Sequence, residues 1–291
     1  MKKITHAVIP VAGFGTRMLP LSKSVPKELL PLGNRPAIHY VVEEAIAAGI
    51  KHIVLVGHSQ KSAIENYFDI NAELDNQLRQ KGKDELADSL NWLPEDVSVS
   101  MIRQGKALGL GHAVLAARPI IGDNDFAVLL PDVVLDPFKT DLRRDNLAFM
   151  INAFAKEGHS QILVEQVADS EVHKYGIAKL SNDDDSEYKE DANGNQSFRV
   201  AGFVEKPKLS QAPSRLAVVG RYVFSNKIFA YLANTTASVG GEIQLTDAID
   251  ALISEYGVNV TTMRGASYDA GDMRSYMQAF IYFAQQQLTD E

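Results

Sequence analysis

The sequence predicts an α/β protein built from βαβ units around a mainly parallel sheet. Three observations lead there. Through the first half of the chain, apolar runs of strand length alternate with segments of helical periodicity. The first of these runs breaks into a glycine-rich turn, Gly13-Phe14-Gly15-Thr16-Arg17; such a strand-to-turn junction can bring backbone N–H groups up to an anion. Polar residues such as Arg17, Gln104 and Asp132 each follow a predicted strand, and open α/β sheets bind ligands outside the carboxyl ends of their strands.

In order, the apolar run HAVIPVA from His6 to Ala12 is the first strand. Ala37–Ala48 is a helix closed by Gly49. His52–Val56 is a strand, residues 60–90 are mostly helical and charged, and the alternating Val97–Ile102 is a strand. Leu110–Ala117 begins a helix that stops near Pro119. Phe126–Leu130 is a fully apolar strand ending at Pro131-Asp132, followed by a helix at Asn146–Lys156 and a strand at Gln161–Val167. The second half is less regular, with strands at Tyr175–Leu180, Phe198–Glu205 and Leu216–Phe224. Residues 181–196 have no apolar face and read as a solvent-exposed loop or hairpin tip. Helices at Asn226–Leu232 and Glu242–Tyr256, a strand at Val258–Met263 and a last helix from about Asp272 complete the chain. That helix sets Tyr276, Ala279, Phe280 and Phe283 on one face, toward the core.

A chain of 291 residues can bury one large core or two joined lobes. The absence of cysteine excludes a disulfide framework, a thiolate metal site and a cysteine nucleophile. No stretch approaches the roughly 18 apolar residues of a membrane span. The short run after Lys2 and Lys3 contains His6 and Pro10 and makes a poor signal peptide. A cytoplasmic protein is expected. The net charge of -8 argues against a nucleic-acid surface. Yet residues 1–35 carry six cations, Lys2, Lys3, Arg17, Lys23, Lys27 and Arg35, against one acid, Glu28. A cationic opening on an acidic chain points to a local anion site.

The glycine turn is not the dinucleotide fingerprint, since Met18 replaces its third glycine, and no Gly-Lys-Ser/Thr follows as in a P-loop. On its own Gly-x-Gly reads equally as an ordinary turn. Arg17 and Lys27 shift the balance, because a forked guanidinium and a mobile ammonium both suit phosphate oxygens. Asp132, alone, reads as a cap or turn residue; beside a phosphate loop it reads as a cation ligand.

Together these segments carry a resemblance. VIPVAGFGTRMLP with SVPKELLP, and the later strings LPD, FVEKP, VGRY and EIQLTD, resemble in order the sugar nucleotidyltransferases. Within that family they are most similar to the bacterial UTP–glucose-1-phosphate uridylyltransferases, over roughly residues 4–285. The resemblance implies a Rossmann-like three-layer αβα fold with a mixed, mainly parallel central sheet, of the nucleotide-diphospho-sugar transferase type. It implies one domain over 1–291, with approximate lobes at 1–170 for nucleotide and 171–291 for sugar phosphate and the C-terminal helices. The implied reaction converts UTP and glucose 1-phosphate into UDP-glucose and pyrophosphate, with Mg²⁺, in a homodimer or homotetramer.

Carried over residue by residue, the resemblance gives Ala12, Gly13, Gly15, Thr16, Arg17, Lys27, Glu28, Gln104 and Gly109 to the nucleotide. A side-chain amide at Gln104 suits the O4 and N3–H edge of uracil, and Gly109 would let the backbone approach the base. Gly176, Glu205, Lys206, Gly220 and Glu242 fall to the sugar phosphate. Asp132 holds the metal, with Asp247 a further candidate that also reads as a first-turn helix acid. Arg17, Lys27, Asp132 and Lys206 are the implied catalytic set. Two other readings stay open: a thymidylyltransferase or other sugar-1-phosphate nucleotidyltransferase, and a catalytically inactive nucleotide-binding regulatory paralogue. Intact phosphate residues weigh against the latter, and Met18 weighs against a dehydrogenase.

Overall fold

A computed structural model describes residues 3–181, 189–190, 194–237 and 241–289 of the chain. The first half runs β1 (His6–Pro10), a small hairpin β2 (Pro31–Leu32) and β3 (Arg35–Pro36), α1 (Ala37–Ala47) and β4 (His52–Gly57). Three short helices follow, α2 (Ser62–Phe68), α3 (Ala72–Gln80) and α4 (Asp84–Leu90). Then come β5 (Ser98–Arg103), α5 (Gly109–Ala116), α6 (Arg118–Ile121), β6 (Phe126–Leu129), β7 (Val133–Leu135), α7 (Leu147–Glu157) and β8 (Ser160–Gln166). The second half comprises β9 (Gly176–Leu180), β10 (Lys189–Glu190), β11 (Gln196–Glu205), β12 (Leu216–Phe224), α8 (Ile228–Asn234), α9 (Leu245–Tyr256), β13 (Val258–Thr262), β14 (Ser267–Asp269) and α10 (Met273–Thr289).

The central sheet runs β10-β11-β13-β8-β12-β6-β1-β4-β5, with β9 paired to β11 and β12. Following the pairings, every described strand of this sheet shares the direction of β1 except β11 and β12. The expected mixed, mainly parallel sheet is what forms. Its inner strands β1, β4 and β6 are apolar on both faces because both are covered. Ala7, Ile9, Ile53 and Leu55 pack with α1, α7 and α10, while Val8, Val54 and Val56 pack with α5, α8 and α9. That period of two makes three layers.

Strands from the two halves of the chain interleave: β8 lies between β12 and β13. The last helix returns to the start. Tyr276 donates to the Pro31 carbonyl, and Gln287 bonds Tyr40 and the backbone N–H of Asn34.

Three expectations need adjusting. Pro119 begins α6 rather than only ending α5, because proline at the first turn of a helix lacks an N–H that would go unused there. The helix expected from Glu242 starts at Leu245, since the Ile243 backbone is bonded to Leu108 and Gly111 instead. Ala279 and Phe283 are buried but Phe280 is exposed, at the margin of the apolar stripe. Most of the 181–196 segment, residues 182–188 and 191–193, lies outside the described residues.

Candidate active site

The carboxyl edge of the sheet gathers the candidate residues. The backbone of Val11 bonds the Val56 carbonyl, and the chain then leaves the sheet into the glycine turn. Gly15 has φ +66°, a conformation that needs no β-carbon. Its carbonyl accepts a 2.7 Å bond from the Ser22 hydroxyl, which ties the turn to the segment leading to Lys27.

At the end of β6, Asp132 Oδ2 accepts a 2.7 Å hydrogen bond from Lys27 Nζ. Burial pushes the Asp132 carboxyl up, but the Lys27 ammonium, its hydrogen bond and Arg17 outweigh that and hold it below the usual carboxylate range. Asp132 is therefore ionised near neutral pH. A second carboxylate stands beside it. The ribbon of β7 and β14 sets Asp269 opposite Val133, and the Ala270 N–H donates to the Asp132 carbonyl at 2.7 Å. Burial raises the Asp269 pKa and Asp132 adds to the rise, against a bond from the Gly271 N–H and the charge of Arg17. A methyl group added at Gly271 would lie 2.8 Å from Asp269 Oδ1, 3.0 Å from Arg17 Nη2 and 3.3 Å from Asp132 Oδ2. The two carboxylates and the guanidinium thus converge on one small space.

The opposite wall comes from the second half. β11 shifts register between Val200 and Gly202, and β12 between Val218 and Tyr222. Such bulges bend a strand, and here they bring Gly176, Glu205 and Gly220 to the same cleft as Asp132. Its volume is about 410 Å³, and Arg17, Lys174, Lys206 and Asp269 also line it. A side chain at Gly176 would crowd Glu205 Oε2 at 3.1 Å. Lys206 adopts φ +45°, rare for a residue with a β-carbon, and its Nζ lies 3.3 Å from Glu205 Oε1. Strain of this kind is held where the surrounding structure fixes it: the Lys206 N–H bonds the Tyr175 carbonyl.

The structure thus brings together Arg17, Asp132, Gly176, Glu205, Lys206 and Gly220, with Lys27 joined through Asp132. Gly13 is exposed near the Lys27 side chain, Ala12 is half-buried, and Thr16 lines a separate cavity with Phe14 and His58.

Other sequence-predicted residues lie outside the cleft lining or are bonded within the protein. Glu28 is 2% exposed, with Oε2 paired to Lys61 at 2.7 Å and Oε1 buried without a hydrogen-bond partner, and it does not line the cleft. Gln104 spends its amide nitrogen on the Gly109 carbonyl and on His112, leaving only its oxygen as an acceptor. The room at Gly109 is taken by Glu242 and Ile243, because the Ile243 N–H bonds the Leu108 carbonyl and the Gly111 N–H bonds the Ile243 carbonyl. Glu242 stands over that turn and does not line the cleft; Gln244 and Thr246 do. Asp247 sits exposed on the first turn of α9, so the carboxylate that neighbours Asp132 is Asp269 instead. Asp269 carries the same signal as Asp132, an acid at a strand end, but on a strand of three residues. Lys174 gave no signal beyond its charge.

Comparisons with known proteins bear on this cleft. The sequence model of the nucleotidyl transferase family matches residues 6–286. A UTP–glucose-1-phosphate uridylyltransferase of Escherichia coli K12 is 52% identical over 97% of this chain and 90% of its own length. One from Haemophilus influenzae is 49% identical, covering 95% and 92%. Among solved structures, a UTP-bound UGPase from Acinetobacter baumannii superposes with a TM-score of 0.86 at 45% identity, over 96% of this chain and 93% of that one. A UDP-glucose pyrophosphorylase complexed with UDP-glucose gives 0.80 at 32% identity, over 97% and 99%.

Proposed function

The chain belongs to the nucleotidyl transferase family, among its UTP–glucose-1-phosphate uridylyltransferases, and we propose that the cleft between Asp132 and Lys206 is where it joins UTP to glucose 1-phosphate. The products are UDP-glucose and pyrophosphate. The observation that carries this assignment is that Arg17 and Asp132 from the first half face Glu205 and Lys206 from the second across one cleft.

The chemistry is a single displacement. A phosphate oxygen of glucose 1-phosphate attacks the α-phosphorus of UTP, and the bond from that phosphorus to the bridging oxygen of pyrophosphate breaks. No general base is required, because a phosphate monoester is largely dianionic at pH 7. The barrier is mostly anion repulsion and alignment, so the protein contributes position and positive charge. Lys206 holds the attacking phosphate, and Glu205 accepts from sugar hydroxyls. Arg17 binds the departing pyrophosphate. Lys27 has three N–H donors; one goes to Asp132, and the others reach the triphosphate.

The donor set fits Mg²⁺. Asp132, held ionised by Lys27, and its neighbour Asp269 offer hard oxygens. Among the described residues no third His, Cys, Asp or Glu completes a protein cage. That leaves positions for phosphate oxygens and water, the usual Mg²⁺ arrangement. When bound, the ion offsets phosphate charge.

We also infer a cytoplasmic homodimer or homotetramer. Among the described residues no helix is long and apolar enough to cross a membrane, and α10 leaves Met277, Ile281 and Leu288 exposed.

The test is pyrophosphate release by the purified protein, with UTP, dTTP, ATP, CTP and GTP crossed against several sugar 1-phosphates. Release mainly from UTP with glucose 1-phosphate, abolished by EDTA, is expected. Preference for dTTP would favour the thymidylyltransferase reading. Nucleotide binding without release from any pair would contradict the proposed activity.

A further inference from the structure

Arg221 is fully buried, with 0% exposure, and every described donor of its guanidinium is engaged. Nε bonds both oxygens of Glu44 at 3.1 and 3.0 Å, and Nη2 bonds Glu44 Oε2 at 2.8 Å. Glu44 comes from α1 and is itself 3% exposed. The remaining bonds go to main-chain carbonyls. Nη1 donates to Leu130 at 3.1 Å and to Gly220 at 3.3 Å, and Nη2 donates to Val133 at 2.8 Å. Leu130 and Val133 flank the Pro131-Asp132 step. One planar group therefore spans the turn that carries Asp132 and touches the Gly220 bulge of the facing wall.

A buried ion pair adds little stability on average, because desolvation offsets the attraction. An apolar pair would fill the same space. What an apolar pair cannot do is fix the two carbonyls on either side of Asp132 at a set distance from α1. We propose that Arg221 is a positioning residue, which holds the Asp132 carboxylate in place for the metal–nucleotide complex through the Leu130–Val133 turn. This rests on the reading of Asp132 as the metal-binding carboxylate.

The test compares Arg221→Lys, Glu44→Gln and the double replacement Glu44→Met with Arg221→Met, using Mn²⁺ binding in the presence of UTP, read by electron paramagnetic resonance. An ammonium cannot bridge both carbonyls and keep the forked contact with Glu44. Arg221→Lys should weaken Mn²⁺ binding about tenfold, as loss of a group supporting a metal ligand does. The Mg²⁺ needed for half-maximal rate should rise by the same factor, with kcat at saturating Mg²⁺ within about threefold. Glu44→Gln leaves the carbonyl bridges standing and should change Mn²⁺ binding by less than about threefold. The double apolar variant keeps the volume and should fold even if Arg221→Lys does not; it should show the same weakened binding. Unchanged Mn²⁺ binding in either folded Arg221 variant, with only the melting temperature lowered, would overturn the proposal. A wild type that binds no Mn²⁺ even with UTP would remove the reading of Asp132, and this role with it.

Discussion

Lys27 and Asp132 meet across 105 positions of sequence, and their contact shows how little of a site lies in any one motif. Asp132 was legible because a carboxylate at the end of an apolar strand asks for a partner or a cation. Its partner was not, since nothing in a cation's own neighbourhood says which acid it will reach. The same holds for Glu28, whose partner Lys61 comes from the far side of β4. Two rates follow. Asp132→Ala and Lys206→Ala should each lower kcat by at least about two orders of magnitude, as loss of charge stabilisation at a reacting group does. Circular dichroism should show both folded, and a near-normal rate would remove that residue from the mechanism. Away from the cleft, His39 on α1 packs against Trp92 with its ring tilted by 32° and shares a 2.8 Å hydrogen bond with Tyr67. Burial, with Arg35 nearby, lowers its pKa from 6.5 to about 4. A lowered histidine stabilises the fold above its unfolded pKa, and that contribution is lost as pH falls through the folded value. Urea unfolding should therefore show His39 costing up to about 3 kcal/mol of stability between pH 6.5 and pH 4. His39→Gln should flatten that part of the profile, and an unchanged slope would assign the acid sensitivity elsewhere.

Among the elements, the strands were the most readable. Those buried on both faces appear as continuous apolar runs, so β1, β4 and β6 could be found without their neighbours. Breaks within strands were not readable. Gly202 and Gly220 sit in runs that look uniform, yet each marks a bulge that turns a sheet strand into a cleft wall. The delayed start of α9 has a similar cause: the bonds from residues 243 and 111 belong to a long-range stitch, and local propensity carries no record of it. Gly220 makes the clearest test at this scale. Its φ is +79°, and a β-carbon there would sit 2.9 Å from Leu130 Cδ1. Gly220→Ala should destabilise the protein by about 1–3 kcal/mol in denaturant unfolding, through backbone strain and crowding together. Because Leu130 adjoins the Asp132 turn, the rate should fall with it. A variant as stable and active as the parent would mean that the bulge relaxes freely.

At the scale of the molecule, chain halves that look separable in sequence share one sheet and one cleft. β8 is enclosed by strands from later in the chain, and α10 closes back on residues 31–40. The order of elements was legible; their order across the sheet was not, because pairing is decided by packing over long separations. The outer side of α10, with Met277, Ile281 and Leu288 exposed, fits a chain that assembles with copies of itself. Light scattering should give a dimer or tetramer mass, and replacing Met277 and Ile281 with Lys should lower it while leaving the monomer folded; a wild-type monomer would contradict this. The proposed catalysis depends on the later half holding the attacking sugar phosphate against a nucleotide fixed by the earlier half. The most direct measurement is the formation of UDP-glucose by wild type and Lys206→Ala, with UTP binding measured in parallel. The wild type should form product rapidly, and the variant should bind UTP normally but form product at least about a hundredfold more slowly. Equal rates in the two proteins, or a variant that has lost UTP binding instead, would contradict this.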